Sequence, residues 1–241
     1  MSAQRRPRRV LLKVSGNALS GTGSAPFDAQ AIDYLASELA QARQVGCELA
    51  VVVGGGNVIR GVAFCAEGLG RIRADCAGML ATVVNALVLR TRLEAMDVPV
   101  THYAAFSIPR MAEAFEPQQC VADLESGRLV LLAGGTGCPL FTTDTAAALR
   151  AAELRTKAIL KATKVDGIYD KDPVQFKDAR LFKNLTYIEV LSRRLKVMDS
   201  TAISLAMDNN LPIIVFNLFE PGNIKKVVTG QDVGTLVTGG E

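Results

Sequence analysis

LAVVVGGGNVIRG, residues 49–61, joins a buried strand to a turn fit for a ligand. Leu49, Ala50, Val51, Val52 and Val53 form an unbroken apolar run, the pattern of a strand covered on both faces in a parallel sheet. Gly54, Gly55 and Gly56 end it. Residues without Cβ let backbone N–H groups approach a ligand, Asn57 is a residue type that caps a following helix, and Arg60 offers a planar fork of donors to phosphate oxygens. Glycines also simply end strands, but three in a row beside an arginine point to a phosphate cradle. The stretch is not a Walker A loop, since no Gly-Lys-Ser/Thr follows. It is not the dinucleotide fingerprint either, since Ile59 stands where the third glycine belongs.

Upstream, Arg9–Val14 reads as a short strand carrying Lys13 near its end, with Ser15 and Gly16 in the loop beyond. Asp28 is placed to cap a helix whose apolar positions Ile32, Leu35, Leu39 and Ala42 recur at helical spacing until Gly46. Strand, helix and strand at this length make a βαβ unit, which brings both glycine-bearing loops to one carboxyl edge. Downstream, residues 71–96 read as a long helix with apolar positions on more than one side, to be covered by the core or by a second subunit. Asp75 near its start either complements the helix N-terminus or meets a ligand.

Further strands are expected at 98–103, 129–133, 158–162, 211–218 and 234–238, and further helices at 118–126, 145–154, 200–208 and 221–229. The strand at 129–133 again runs into glycines, and residues 134–144 present hydroxyls and free amides at a helix start, a second polar-ligand site. Lys161 lies within the strand at 158–162, and residues 165–173 form a polar turn bearing Tyr169. Asp199 stands at a helix start, where a plain N-cap is as good a reading as a site residue. With no internal repeat and no linker, one domain spanning 1–241 is expected.

The chain has 241 residues, 49% of them hydrophobic, and a mean hydropathy of +0.23, enough to bury a large core. Its net charge of +3 is small, and Arg5, Arg6, Arg8 and Arg9 read as a solvated tail rather than a nucleic-acid face. Val10, Leu11 and Leu12 are too few for the apolar core of a signal peptide, and residues 77–89, interrupted by Thr82 and Asn85, fall short of a membrane span. A soluble cytoplasmic protein with neither membrane nor nucleic acid as partner is expected. Five cysteines without a Cys-x-x-Cys pair, and a single histidine, His102, support neither a zinc site nor a disulfide framework. In that compartment the sequon at Asn184 has no glycosylation meaning.

Lys13-Val14-Ser15-Gly16, Gly54-Gly55-Gly56-Asn57 with Arg60-Gly61, and Asp75 before Gly78-Met79-Leu80-Ala81-Thr82 recur in one known family, in this order. So do Gly135-Thr136-Gly137 through Asp144, residues 161–167, and Lys196-Val197-Met198-Asp199. The chain thus resembles the amino acid kinase family, and within it most closely the branch that phosphorylates UMP. The resemblance implies a three-layer αβα sandwich around a mainly parallel sheet, with UMP over the N-terminal half and ATP over the C-terminal half. It assigns Lys13, Val14, Ser15, Gly16, Gly56, Arg60, Thr163, Tyr169 and Asp172 to ATP. It assigns Gly55, Arg60, Asp75, Thr136, Gly137, Cys138, Pro139, Leu140, Phe141, Thr142 and Thr143 to UMP. Lys13, Arg60, Asp144 and Asp199 would serve catalysis, the two aspartates orienting the lysines and magnesium-bound waters. Mg²⁺ would be held by nucleotide phosphates and water rather than by protein ligands. A homohexamer activated by GTP and inhibited by UTP is also implied.

The residue inventory suits that chemistry independently. A nucleoside monophosphate, with a second pKa of about 6, already presents a dianion at neutral pH and needs no general base. Against the family pattern, Asn17 replaces a glutamate, Cys138 an asparagine and Leu140 a frequent phenylalanine, Glu94 replaces a basic or aromatic group, and residues 19–27 carry little charge. Two rival readings are another phosphoryl acceptor within the same superfamily, and a nucleotide-binding protein without catalysis.

Overall fold

The computed structural model describes residues 9–23, 25–59, 70–195 and 197–240. Arg5, Arg6, Arg8, Arg60, Gly61, Cys65 and Lys196 lie outside the described residues, so the assignments made to them rest on sequence alone.

Among the described residues nine strands form one sheet in the order β4-β3-β5-β2-β1-β6-β8-β9-β7. They are β1 (Arg9–Val14), β2 (Glu48–Val53), β3 (Val100–Ala104), β4 (Glu113–Ala114), β5 (Leu129–Ala133), β6 (Ile159–Thr163), β7 (Asn184–Thr186), β8 (Ile213–Asn217) and β9 (Thr235–Thr238). Every neighbouring pair is parallel except β8 and β9. The apolar runs of β1, β2 and β5 occupy the centre, where helices cover both faces and no polar side has to be shown to water. The two-residue β4 and the three-residue β7 at the edges are too short to be heard in the sequence pattern.

Seven helices flank this sheet among the described residues. On one face α1 (Ala29–Gln44), α2 (Arg71–Glu94) and α7 (Asn223–Val228) pack over Val10, Leu12, Leu49, Val51, Leu131 and Leu160. On the other, α3 (Pro117–Glu125), α4 (Thr143–Glu153), α5 (Tyr187–Ser192) and α6 (Ser200–Asp208) cover Leu11, Ala50, Val52, Val130 and Ile159. Alternate strand residues feed alternate layers, which makes the three-layer αβα sandwich.

The helix starts follow side-chain capping. Asp28 accepts from Ala31 N at 2.8 Å, and Gly46, with φ 79°, closes the far end of α1. Helix α4 begins at Thr143, two residues before its expected start, because the Thr142 hydroxyl accepts from the N–H groups of Asp144 and Thr145. Asp144 is thereby drawn out of the loop and into the first helical turn.

Three expectations need correction. Arg9 is no part of a solvated tail: it pairs with Glu48 at 2.8 Å and donates to Leu154 O at 3.0 Å, tying β1 to β2 and to the end of α4. Asn57 does not cap by side chain but spends its amide on Pro26 O and on Asn85. Helix α2 is, by length and composition, apolar enough to cross a membrane, although residues 77–89 alone suggested otherwise. Here it lies along the sheet, with Ala74, Ala81, Val83, Ala86, Leu89 and Leu93 buried and Ile72, Leu80 and Val84 exposed.

Candidate active site

Two lysines sit in strands that otherwise read as pure core. Lys13 of β1 and Lys161 of β6 are register partners in adjacent parallel strands, and both share a face with Leu11 and Ile159, under α4. They are 7% and 8% exposed, a burial that charged groups tolerate only when paired. The partner is Asp144. Its Oδ1 accepts from Lys13 Nζ at 2.7 Å and from Lys161 Nζ as well. Burial alone would raise the Asp144 pKa, but the two ammonium groups outweigh it and hold the carboxyl below its ordinary range. Lys161 is pushed down to about 8 by burial and by the charge of Lys13, against the opposing pull of Asp144. Two cations and one anion leave a single net positive charge at the carboxyl edge of the sheet, beside the N-terminus of α4. Developing negative charge would be stabilised there.

Directly alongside lies a cavity of about 260 Å³. Its walls include Gly55 and Gly56 of the first turn, Asp75, Met79 and Thr82 of α2, and Thr136, Cys138, Phe141, Thr142 and Thr143 of the loop before α4. The three glycines of the first turn serve different ends. A Cβ on Gly55 would stand 2.7 Å from Gly78 O, and one on Gly54 would stand 3.1 Å from Gly16 N. A Cβ on Gly56 would meet nothing within 4 Å. The first two glycines thus let the chain pack closely, Gly55 while also lining the cavity, and Gly56 stands open at the cavity wall. Asp75 accepts from the backbone N of Leu140 at 2.9 Å and from Arg71 Nε at 2.8 Å. It therefore ties the second loop to α2 rather than merely complementing the helix start. Leu140, with φ 73°, holds a left-handed conformation that side chains seldom adopt, a sign that this loop's shape is imposed by its contacts.

Thus Gly55, Gly56, Asp75, Thr136, Cys138, Phe141, Thr142 and Thr143 converge on one cavity, with Lys13 and Asp144 beside it. Gly137, Pro139 and Leu140 belong to the same loop but do not line the cavity. Ser15 accepts from Asn17 N at 3.4 Å, starting the short 3₁₀ turn Gly16–Leu19 that leads away from Lys13 and Val14. Thr163 ends β6 with its hydroxyl on Val165 O, 2.6 Å away. Tyr169 donates to Asp166 at 3.4 Å, and Asp172 accepts from Val174 N at 2.9 Å. None of these three lines the cavity. Asp199 does not orient a lysine among the described residues. Its carboxylate accepts from the hydroxyls of Thr142 and Thr145 and from Ala202 N, so it fixes the start of α4 and through it Asp144. The sequence reading passed over Lys161 and Thr145 as site residues. A lysine inside an apolar strand was the same signal that singled out Lys13.

No group of three or more His, Cys, Asp or Glu among the described residues is placed to hold a metal. The carboxylates of Asp144 and Asp199 are engaged by lysine, hydroxyl and backbone donors. A second cavity, of about 320 Å³, lies near β3 and α3, lined by Arg90, Thr101, Glu113, Asp123 and Arg128 among others. It carries both signs of charge, no glycine turn and no paired lysines.

Comparison with known proteins agrees with this geometry. The profile of the amino acid kinase family matches residues 8–217. The chain is 49% identical over 233 residues to "Uridylate kinase PUMPKIN, chloroplastic" of Arabidopsis thaliana, covering 96% of this chain and 69% of that protein. Its fold is similar to the crystal structures of UMP kinase from Bacillus anthracis (TM-score 0.94, 36% identity, 97% of each chain) and from Ureaplasma parvum (TM-score 0.90, 32% identity, 97% of this chain and 99% of that one). A profile spanning eight of the nine strands and both glycine turns, with relatives matched along nearly the whole length, leaves one conclusion: the chain belongs to the amino acid kinase family.

Proposed function

We propose that the protein is a UMP kinase, transferring the γ-phosphoryl group of ATP to the phosphate of UMP to give ADP and UDP. The observation that carries this reading is the junction at Thr143 and Asp144. Thr143 lines the cavity, and the next residue is the carboxylate clamped by Lys13 and Lys161. UMP occupies the cavity, its ribose hydroxyls toward Asp75 and its base and phosphate wrapped by residues 136–143. Gly55 and Arg60 meet its phosphate. ATP lies over the C-terminal half, across Lys13, Ser15 and Gly16, with Gly56 and Arg60 at its phosphates and Thr163, Tyr169 and Asp172 beyond. The donor enters as its magnesium complex, the metal held by phosphate oxygens and water.

A UMP phosphate oxygen attacks the γ-phosphorus, a new P–O bond forms as the bond to the β-phosphate oxygen breaks, and ADP leaves with that electron pair. No base is required, since the acceptor is already ionised. Charge spread over the equatorial oxygens of a loose transition state is met by Lys13 and Lys161, which Asp144 holds in place. The chain's only histidine is fully buried in the core and takes no part.

The enzyme acts as one domain in the cytoplasm, as a homohexamer under GTP activation and UTP inhibition. The test is ADP release with Mg²⁺ and ATP across UMP, CMP, acetylglutamate, carbamate and isopentenyl phosphate, with and without GTP. UMP should be the preferred acceptor. Preference for a small phosphate or carboxylate, or nucleotide binding with no UDP formed, would overturn the reading.

A further inference from the structure

Helix α2 is bonded to both glycine turns at once. Asn85, fully buried on its inner face, donates through Nδ2 to Gly54 O and to Asn57 Oδ1, each at 2.6 Å. Asn57 returns a donor to Asn85 Oδ1 at 3.1 Å and places its other on Pro26 O at 2.7 Å. The two amides thus satisfy each other and the carbonyl where the first turn leaves β2. Gly16 of the Lys13 loop rests on the same pair, and a Cβ there would stand 2.3 Å from Asn57 Oδ1 and 2.9 Å from Asn85 Nδ2. Three residues earlier on the helix, the Thr82 hydroxyl donates to Met79 O and accepts from the backbone N of Gly134, both at 2.7 Å. That is the first residue of the second glycine turn, left-handed at φ 77°. Positions i and i+3 lie one above the other on a helix face, so the two turns hang from neighbouring points of one rigid element.

We propose that Asn85 and Thr82 are positioning residues that set the spacing of the two glycine turns. Asn85 places the turn that receives phosphate, and Thr82 places the loop that receives the nucleoside. The inference rests on the UMP kinase reading. A buried amide or hydroxyl used only for stability would support both turns without distinction. Two separate attachments give separate signatures, because the phosphate and the nucleoside of one ligand are held by different turns.

The experiment is titration calorimetry of the full chain with UMP and with uridine, the same ligand without its phosphate. Asn85→Leu, similar in size but unable to bond Gly54 O, should weaken UMP about tenfold while uridine stays within about twofold, narrowing the ratio between them. Asn57→Ala, made from the turn side of the same pair, should narrow it likewise and serves should the buried substitution fail to fold. Thr82→Val should weaken both ligands by one common factor, leaving the ratio unchanged, and Thr82→Ser should restore wild-type affinity. Uniform loss in all variants, or a lowered melting temperature with both affinities intact, would overturn the assignment. Wild-type protein that bound UMP no more tightly than uridine would instead sink the UMP kinase reading, and this inference with it.

Discussion

Two sets of ionisable side chains are buried in the same sheet and meet opposite fates. Lys13 and Lys161 lie under α4 and share the carboxylate of Asp144, while His102 lies in β3 on the α2 side, with neither ring nitrogen partnered among the described residues. The lysines keep charge because a helix start delivers an anion to them. The histidine, buried and facing Arg90, is driven neutral, its pKa lowered to about 4. Burial of a titratable group does not by itself mark a site. What marks one is the opposite charge brought to it where strand ends meet a helix N-terminus.

The sharpest way to break that comparison is to remove charges from the cluster one at a time. Deleting one lysine leaves a matched pair, whereas deleting Asp144 leaves two buried cations side by side. Lys13→Ala should therefore lower UDP formation by about 10²- to 10³-fold with little change in folding. Asp144→Ala should lose at least as much activity and also about 3–5 kcal/mol of stability, measured by urea unfolding. Equal stability of the two variants would show that the charges are not coupled as their geometry demands.

Acidity tests the same cluster without mutation. In the free enzyme Lys161 gives up its proton at about pH 8, so kcat/KM for UMP should fall as pH rises through that value. Stability moves the other way. Between about 8 and the ordinary lysine value the unfolded chain binds more protons than the folded one, so ΔG of unfolding rises with pH over that window. Lys161→Met should remove both trends, and an activity profile flat to pH 10 in the wild type would count against a charged role for this lysine.

Much of this was legible in the chain itself, and the exceptions have physical causes. β5 matches its expected bounds residue for residue because an apolar run closed by glycines admits no other register. The cavity residues of the loop before α4 were legible as hydroxyls and amides at a helix start. The Asp144–lysine contacts were expected from the family resemblance alone, because sequence spacing does not say which strands become neighbours. Lys13 and Lys161 are 148 positions apart in the chain, yet β1 and β6 lie side by side in register. Asn57 was misread for a related reason. A cap is a local property, whereas its partner Asn85 lies 28 positions away on a helix that had to be docked first.

The smallest effect concerns His102, which the comparison places wholly in the core. Two unpartnered ring nitrogens in an apolar layer are a standing cost, so His102→Leu should raise stability at pH 7 by about 1 kcal/mol with kcat and KM unchanged. The acid limb gives the sign independently. The folded-state pKa of about 4 lies below the ordinary 6.5, so from pH 6.5 down to 4 the unfolded chain binds the extra proton, and stability is lost as pH falls across that window. Leucine cannot titrate, so the unfolding free energy of the variant should fall less steeply there than that of the wild type. If the two slopes coincide, His102 has a partner or a charge in solution, and the contrast with the lysine cluster fails at its neutral end.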